Sequence, residues 1–188
     1  MSVWILLVVV AQLFNAVAAL IDKYIVSSPL IGKPSLYAFY VSILSALSII
    51  IFFLGDIPLP LEGVLIPTFE NVAIPAAVVF ATSILAGLFL FGALTGLFTG
   101  LKQADASDVI PVVGAASAVS ALVLSYVFLD AGLSPNFAGG FVLLVAGTLV
   151  LSLYQFRYTT LLVSISSGLL FGAHFVSLKF LFSETNFD

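Results

Sequence analysis

Six stretches of this chain run for about 20 residues with almost no charge, over roughly 3–26, 35–54, 75–101, 107–129, 135–154 and 159–182. A helix of ~20 apolar residues spans the ~30 Å hydrocarbon layer of a bilayer. A membrane β-barrel would instead show alternation over segments of ~10 residues, and these runs are continuous. Only 7% of the residues are charged against 62% apolar, too few charges to cover a soluble domain. Mean hydropathy is +1.31. The expected fold is an all-α, polytopic membrane helix bundle of about six transmembrane helices. Its first partner is the lipid bilayer and its expected place is the cell membrane.

The chemistry open to such a chain is narrow. It has no cysteine and one histidine, so neither thiol chemistry nor a disulfide framework is available. No metal-ligand spacing and no phosphate-binding glycine loop is present. Neither an enzyme nor a cofactor or metal site is expected. The net charge of −4 lies in the loops, with no basic patch for nucleic acid. The first apolar run lacks a basic leader and exceeds a signal-peptide core, so it reads as a retained span.

Polar and small residues give each run a face. In helix 1, Gln12, Asn15, Ala19, Asp22 and Lys23 fall within about a third of the circumference at 100° per residue. That face should turn from lipid. Gln12 and Asn15 read either as interhelical hydrogen-bonding groups or as the lining of a solute path. Asp22 and Lys23 read either as interfacial anchors or as path residues. Ser42, Ser45 and Ser48 share a face of helix 2, and the proline-containing connection from Gly55 to Ile74 rests on the membrane surface.

Helix 3 spaces Gly92, Gly96 and Gly100 by four, which lets another backbone approach closely. Helix 4 carries Ser107, Pro111, Gly114, Ala118, Ala121 and Ser125 on one stripe. The two stripes are expected to face each other or a cavity, with Pro111 loosening its end of helix 4. Asp105 is a candidate N-cap for helix 4, followed by Asp108, and Asp130 closes the helix at the interface. Ser134 and Pro135 signal the start of helix 5, which carries Gly139, Gly140 and Gly147. Tyr154, Phe156, Arg157 and Tyr158 form an interfacial belt. Helix 6 holds Ser164, Ser167, Gly168, Gly172, Lys179 and the single histidine, His174. His174 reads either as a proton-coupling group or as a hydrogen-bonded packing residue.

Gln12–Ser28 can be laid over Gly168–Glu184, matching Lys23 to Lys179 and Ser27 to Ser183. A five-helix unit over 1–156 followed by the first helix of a second unit over 157–188 is then expected. Because five is odd, that second unit enters the membrane inverted, the plan of many secondary transporters. The polar SETNFD tail reads as a connecting loop, so the chain is expected to be a fragment.

The helix 3 to 5 region resembles the drug/metabolite transporter superfamily, in its EamA-like branch. The matching positions are Ala106, Ser107 and Pro111 in the hinge, Asp130 in the turn where that family usually has Glu, and Gly140 and Gly147 in the following helix. Asn15, Asp22 and Lys23 resemble its first-helix pattern. The resemblance implies ten helices in two five-helix repeats moving small metabolites or drugs through a central cavity by alternating access. For a transporter of this kind, helices 1, 3, 4 and 6 are expected to line the path, with Gln12, Asn15, Asp22, Lys23 and His174 as candidate path residues. The resemblance leaves the solute, proton coupling and oligomeric state open. The positive-inside rule places the N-terminus outside, since Lys23, Lys33, Lys102 and Arg157 share one side; the resemblance implies a cytoplasmic N-terminus. Two other readings stand beside the transporter: a half-size transporter acting as a dimer, and a non-transporting membrane scaffold subunit.

Overall fold

The computed structural model describes residues 3–50, 75–129, 135–152 and 158–185, and among these every regular element is helical. The elements are α1 (Val3–Ser27), α2 (Pro34–Ser45), a 3₁₀ turn (Ala46–Ile49), α3 (Ala77–Gln103), α4 (Ala106–Leu129), α5 (Pro135–Ser152) and α6 (Tyr158–Glu184). The chain is an all-α membrane helix bundle. Four of the helices, α1, α3, α4 and α6, are long and apolar enough to cross a bilayer.

Six spans are expected from the sequence; for the second and fifth, α2 and α5, the described residues cover only part of the expected stretch. Helix α2 is 12 residues long and gives way at Ala46 to the 3₁₀ turn, after which Ile50 is helical again. At that point the Ser45 hydroxyl donates to the Ser42 carbonyl at 2.6 Å, a local bond that competes with the helical ladder. Helix α5 is described over 18 residues, Pro135–Ser152. Residues 51–54, the connection from Gly55 to Ile74, Asp130, Ser134 and the belt residues Tyr154, Phe156 and Arg157 lie outside the described residues.

The helix ends follow local chemistry. Pro34 occupies the first turn of α2, where its missing N–H removes no helical bond. Helix α3 stops as Ala104 turns extended, its N–H still bonded to the Gly100 carbonyl at 3.0 Å. Asp105 then precedes α4, and its carbonyl accepts the N–H groups of Asp108 and Val109, each at 3.1 Å. Helix α4 runs through Pro111 as one element.

Helix α6 lies between α3 and α4 and forms the most extensive contacts in the bundle with both. It runs antiparallel to α3: Thr160 meets Gln103, Ser164 meets Gly100, Ser167 meets Ala93 and Gly96, and His174 meets Ala86. It runs parallel to α4, with Gly168 on Val113 and Ala116, and Gly172 on Ser117 and Ser120. Helix α5 packs on α4, α2 on α3, and α1 on α3 with a lighter contact to α4.

Between membrane helices no water remains to be expelled, so close van der Waals packing and interhelical hydrogen bonds hold the contact. The residues of α6 fit that requirement. Thr160, Ser164, Ser167, Gly168, Gly172 and Val176 are its buried positions. A Cβ on Gly168 would sit 2.6 Å from the Val113 carbonyl oxygen, and one on Gly172 the same distance from that of Ser117. The Ser120 hydroxyl donates back to the Leu169 carbonyl at 2.9 Å, and the fully buried Ser167 hydroxyl donates to the Ala93 carbonyl at 2.7 Å.

A tight apolar cluster closes one end of the bundle. Val26 of α1, Ala38 of α2, Phe98 and Leu101 of α3, and Val109 of α4 are buried there. The Tyr37 ring lies 4.6 Å from that of Phe98. Beyond this cluster, residues 5–18 of α1 are exposed around the whole circumference.

Candidate functional site: a cleft between four helices

Because α1 closes on the bundle only near its C-terminal end, a cleft of ≈ 320 Å³ remains between α1, α3, α4 and α6. Asn15, Ala19 and Asp22 form the α1 wall, Leu97 and Leu101 the α3 wall, and Phe171 and Phe175 the α6 wall. Helix α4 contributes Ile110, Val113, Gly114 and Ser117. The polar face expected on helix 1 therefore borders a cavity through Asn15, Ala19 and Asp22. The small stripe of helix 4 reaches the cavity at Gly114, where no neighbour lies within 4 Å of a built Cβ.

Asp22 is fixed from outside the cleft. The Tyr37 hydroxyl donates to Asp22 Oδ1 at 2.7 Å, linking α2 to α1. A carboxylate has two oxygens and about four acceptor sites, so one bond leaves capacity facing the cleft. Lys23, the next residue, points elsewhere. Its ammonium donates to the carbonyls of Leu101 at 2.6 Å and Ala104 at 2.7 Å, the unpaired acceptors at the C-terminus of α3. A cation there also meets the negative end of the helix dipole. Asp105 Oδ1 lies 4.0 Å from Lys23 Nζ, with its side chain 84% exposed. Lys102 makes a second clamp at this end, donating to the carbonyls of Ile31 at 2.7 Å and Gly32 at 3.0 Å.

The other candidates lie apart. Gln12 is exposed and does not line the cleft. His174 faces α3, where Nδ1 donates to the Ala86 carbonyl at 2.9 Å; its ring lies 5.7 Å from that of Phe175, which does line the cleft. Gly92, Gly96 and Gly100 are not paired with the helix 4 stripe in the expected way. Gly92 and Gly96 receive Leu170 and Ser167 of α6, while Gly100 meets Val109 of α4 and Ser164 of α6. Among the described residues none lies within 4 Å of where a Cβ on Gly140 or Gly147 would sit. Ser107 is exposed, and its hydroxyl lies 3.4 Å from Asp108 Oδ1; Pro111 is partly buried.

Phe171 and Phe175 were not singled out by the sequence. Their rings stack at 6.2 Å between centroids, inclined by 22°. Their spacing of four on a helix is a signal for a shared face, shared by many lipid-facing aromatic pairs. Among the described residues no group of three or more His, Cys, Asp or Glu is placed to hold a metal ion.

The bundle and its cleft define a membrane protein of the all-α class. Comparison with protein-family models, with curated proteins and with solved structures gives no match in any of the three.

Proposed function

We propose that this chain is a multi-pass protein of the cell membrane that carries a small solute by alternating access, on the EamA-like plan its helix 3 to 5 sequence resembles. The observation that carries the reading is the cleft itself: Asn15, though exposed, and the partly buried Asp22 both line it on α1. Polar and ionisable groups at membrane depth are costly and characteristically mark a solute or ion path. Asn15 and Asp22 contact the solute, Gly114 leaves room for it, and Phe171 and Phe175 form its apolar wall. The near-backbone contacts of α6 with α3 and α4 provide smooth surfaces along which the helices shift as the cleft changes sides.

Flux tests this directly. The purified protein is reconstituted in proteoliposomes and supplied with radiolabelled small metabolites and hydrophobic drugs in turn. Transport of at least one above protein-free vesicles is expected, reduced at least tenfold by Asn15→Leu or Asp22→Asn. No flux for any solute, or flux indifferent to both variants, rejects the reading.

A further inference from the structure

We propose that the cleft selects a protonated amine carried on a flat apolar or aromatic body, with Asp22 as the counter-charge and the Phe171–Phe175 pair as the seat for the body. This names the solute class for the site described above and rests on the reading of that cleft as a solute site.

Three observations converge on it. Among the described residues that line the cleft, Asp22 is the one that is formally charged. The adjacent cation does not neutralise it within the cleft, because Lys23 is committed to the Leu101 and Ala104 carbonyls, with Asp105 beside it. The remaining polar groups in the lining are Asn15 and Ser117, and the Ser117 hydroxyl already donates to the Gly114 carbonyl at 2.8 Å. A cleft whose described lining carries one negative charge, an amide and no cation attracts positive solutes and repels anions.

The rings set the rest of the shape. Asp22 lies five residues before the end of α1, at the end of the bundle where α6 begins. Phe171 is about halfway along α6, and Phe175 one turn further. Charge and rings therefore lie at different depths, suiting a molecule with a cationic head and an apolar tail. The nearly parallel rings favour a flat body, since aromatic faces gain from offset stacking. The ≈ 320 Å³ volume falls at the small end of the ~300–1,000 Å³ range of drug-sized sites. An ammonium on a carboxylate also forms a charge-assisted hydrogen bond, roughly twice as strong as a neutral one.

The test uses two probes of similar shape, N,N-dimethylbenzylamine, cationic at neutral pH, and the neutral N,N-dimethylbenzamide. Equilibrium binding of each to the purified protein is measured by calorimetry. The amine is expected to bind about tenfold tighter, a difference of ~1.4 kcal/mol. Asp22→Asn keeps the acceptor for Tyr37 and removes the charge, so it should bring the two probes to within about threefold. Tyr37→Phe, which keeps the charge, should retain the preference. Equal binding of both probes, tighter binding of the amide, no binding of the amine, or a preference surviving in Asp22→Asn each overturns the proposal. If a neutral or anionic solute is nevertheless transported with sensitivity to Asn15→Leu, the transport reading stands and only the cation assignment falls.

Discussion

The Lys23 ammonium reaches from α1 to the carbonyl oxygen of Leu101, 78 residues away in sequence, and ends α3 with a hydrogen bond of 2.6 Å. With the second bond to Ala104, a half-buried cation satisfies two acceptors that a helix terminus leaves open. Hydrogen bonds from charged donors contribute about 1.5–3 kcal/mol. Lys23→Met should therefore destabilise the protein by about 2 kcal/mol in a denaturant titration of the detergent-solubilised chain. Asp105→Asn should change stability by less than ~0.5 kcal/mol, because that carboxylate is largely exposed and 4.0 Å from its partner. A smaller loss for Lys23→Met than for Asp105→Asn would contradict the capping role.

The glycines of the bundle divide by what surrounds them. Gly168→Ala forces a methyl group against the Val113 carbonyl and the Ala116 side chain, both backbone-anchored, and should cost ~1–3 kcal/mol. Gly172→Ala meets Ser120 and the Ser117 carbonyl and should cost a similar amount. Gly140→Ala and Gly147→Ala meet none of the described residues within 4 Å and should leave stability unchanged or slightly raised, since alanine is the better helix former. Thermal unfolding of the four variants side by side checks the division, and equal losses in all four would refute it.

Ser167→Ala removes the hydroxyl that bonds the Ala93 carbonyl from a fully buried position. Interhelical hydrogen bonds of this kind average ~0.6 kcal/mol in membrane proteins. The loss should be of that order, while Ser167→Leu, which also collides with Gly96, should lose several times more. The ratio of the two, read from unfolding in mixed micelles, separates the hydroxyl's contribution from the close approach of the helices.

His174 is expected to serve contact rather than proton coupling, because its Nδ1–H is engaged by the Ala86 carbonyl and the ring does not line the cleft. His174→Ala should lower stability by about 0.5–1.5 kcal/mol through the lost hydrogen bond. The shape of the flux-versus-pH curve should stay as in the unaltered protein. A flattened curve in His174→Ala, with folding intact, would reverse this assignment.

Much of the bundle is legible in the sequence because lipid imposes length on apolar runs. Helices α1, α3, α4 and α6 begin and end within two residues of their expected limits. Asn15 and Asp22 stand out since polar residues in apolar runs have few places to go. The arrangement of helices around α6 is not legible in the same way. Its buried positions, Thr160, Ser164, Ser167, Gly168 and Gly172, are spaced like a packing stripe, but small residues at such spacings also face lipid at little cost. Gly96 carries no mark of whether its partner is α4 or α6. The partners of Lys23 are main-chain carbonyls, which every residue possesses, so no residue type could announce them. Gln12 shares the face of Asn15 in projection, yet it is exposed and lies outside the lining of the cleft.

The place of α6 also fixes an order of events during synthesis. Helices α3 and α4 are joined by a single short corner but touch each other little, and what joins them along their length is a helix translated later. At ~5–20 residues per second, roughly 3–11 s separate the completion of α4 from that of α6. Through that interval the glycine face of α3 and the small face of α4 stand without their keystone, and other membrane helices can occupy them. The faces that α6 joins are thus left without it for as long as the 55 residues after Leu129, through Glu184, take to be made.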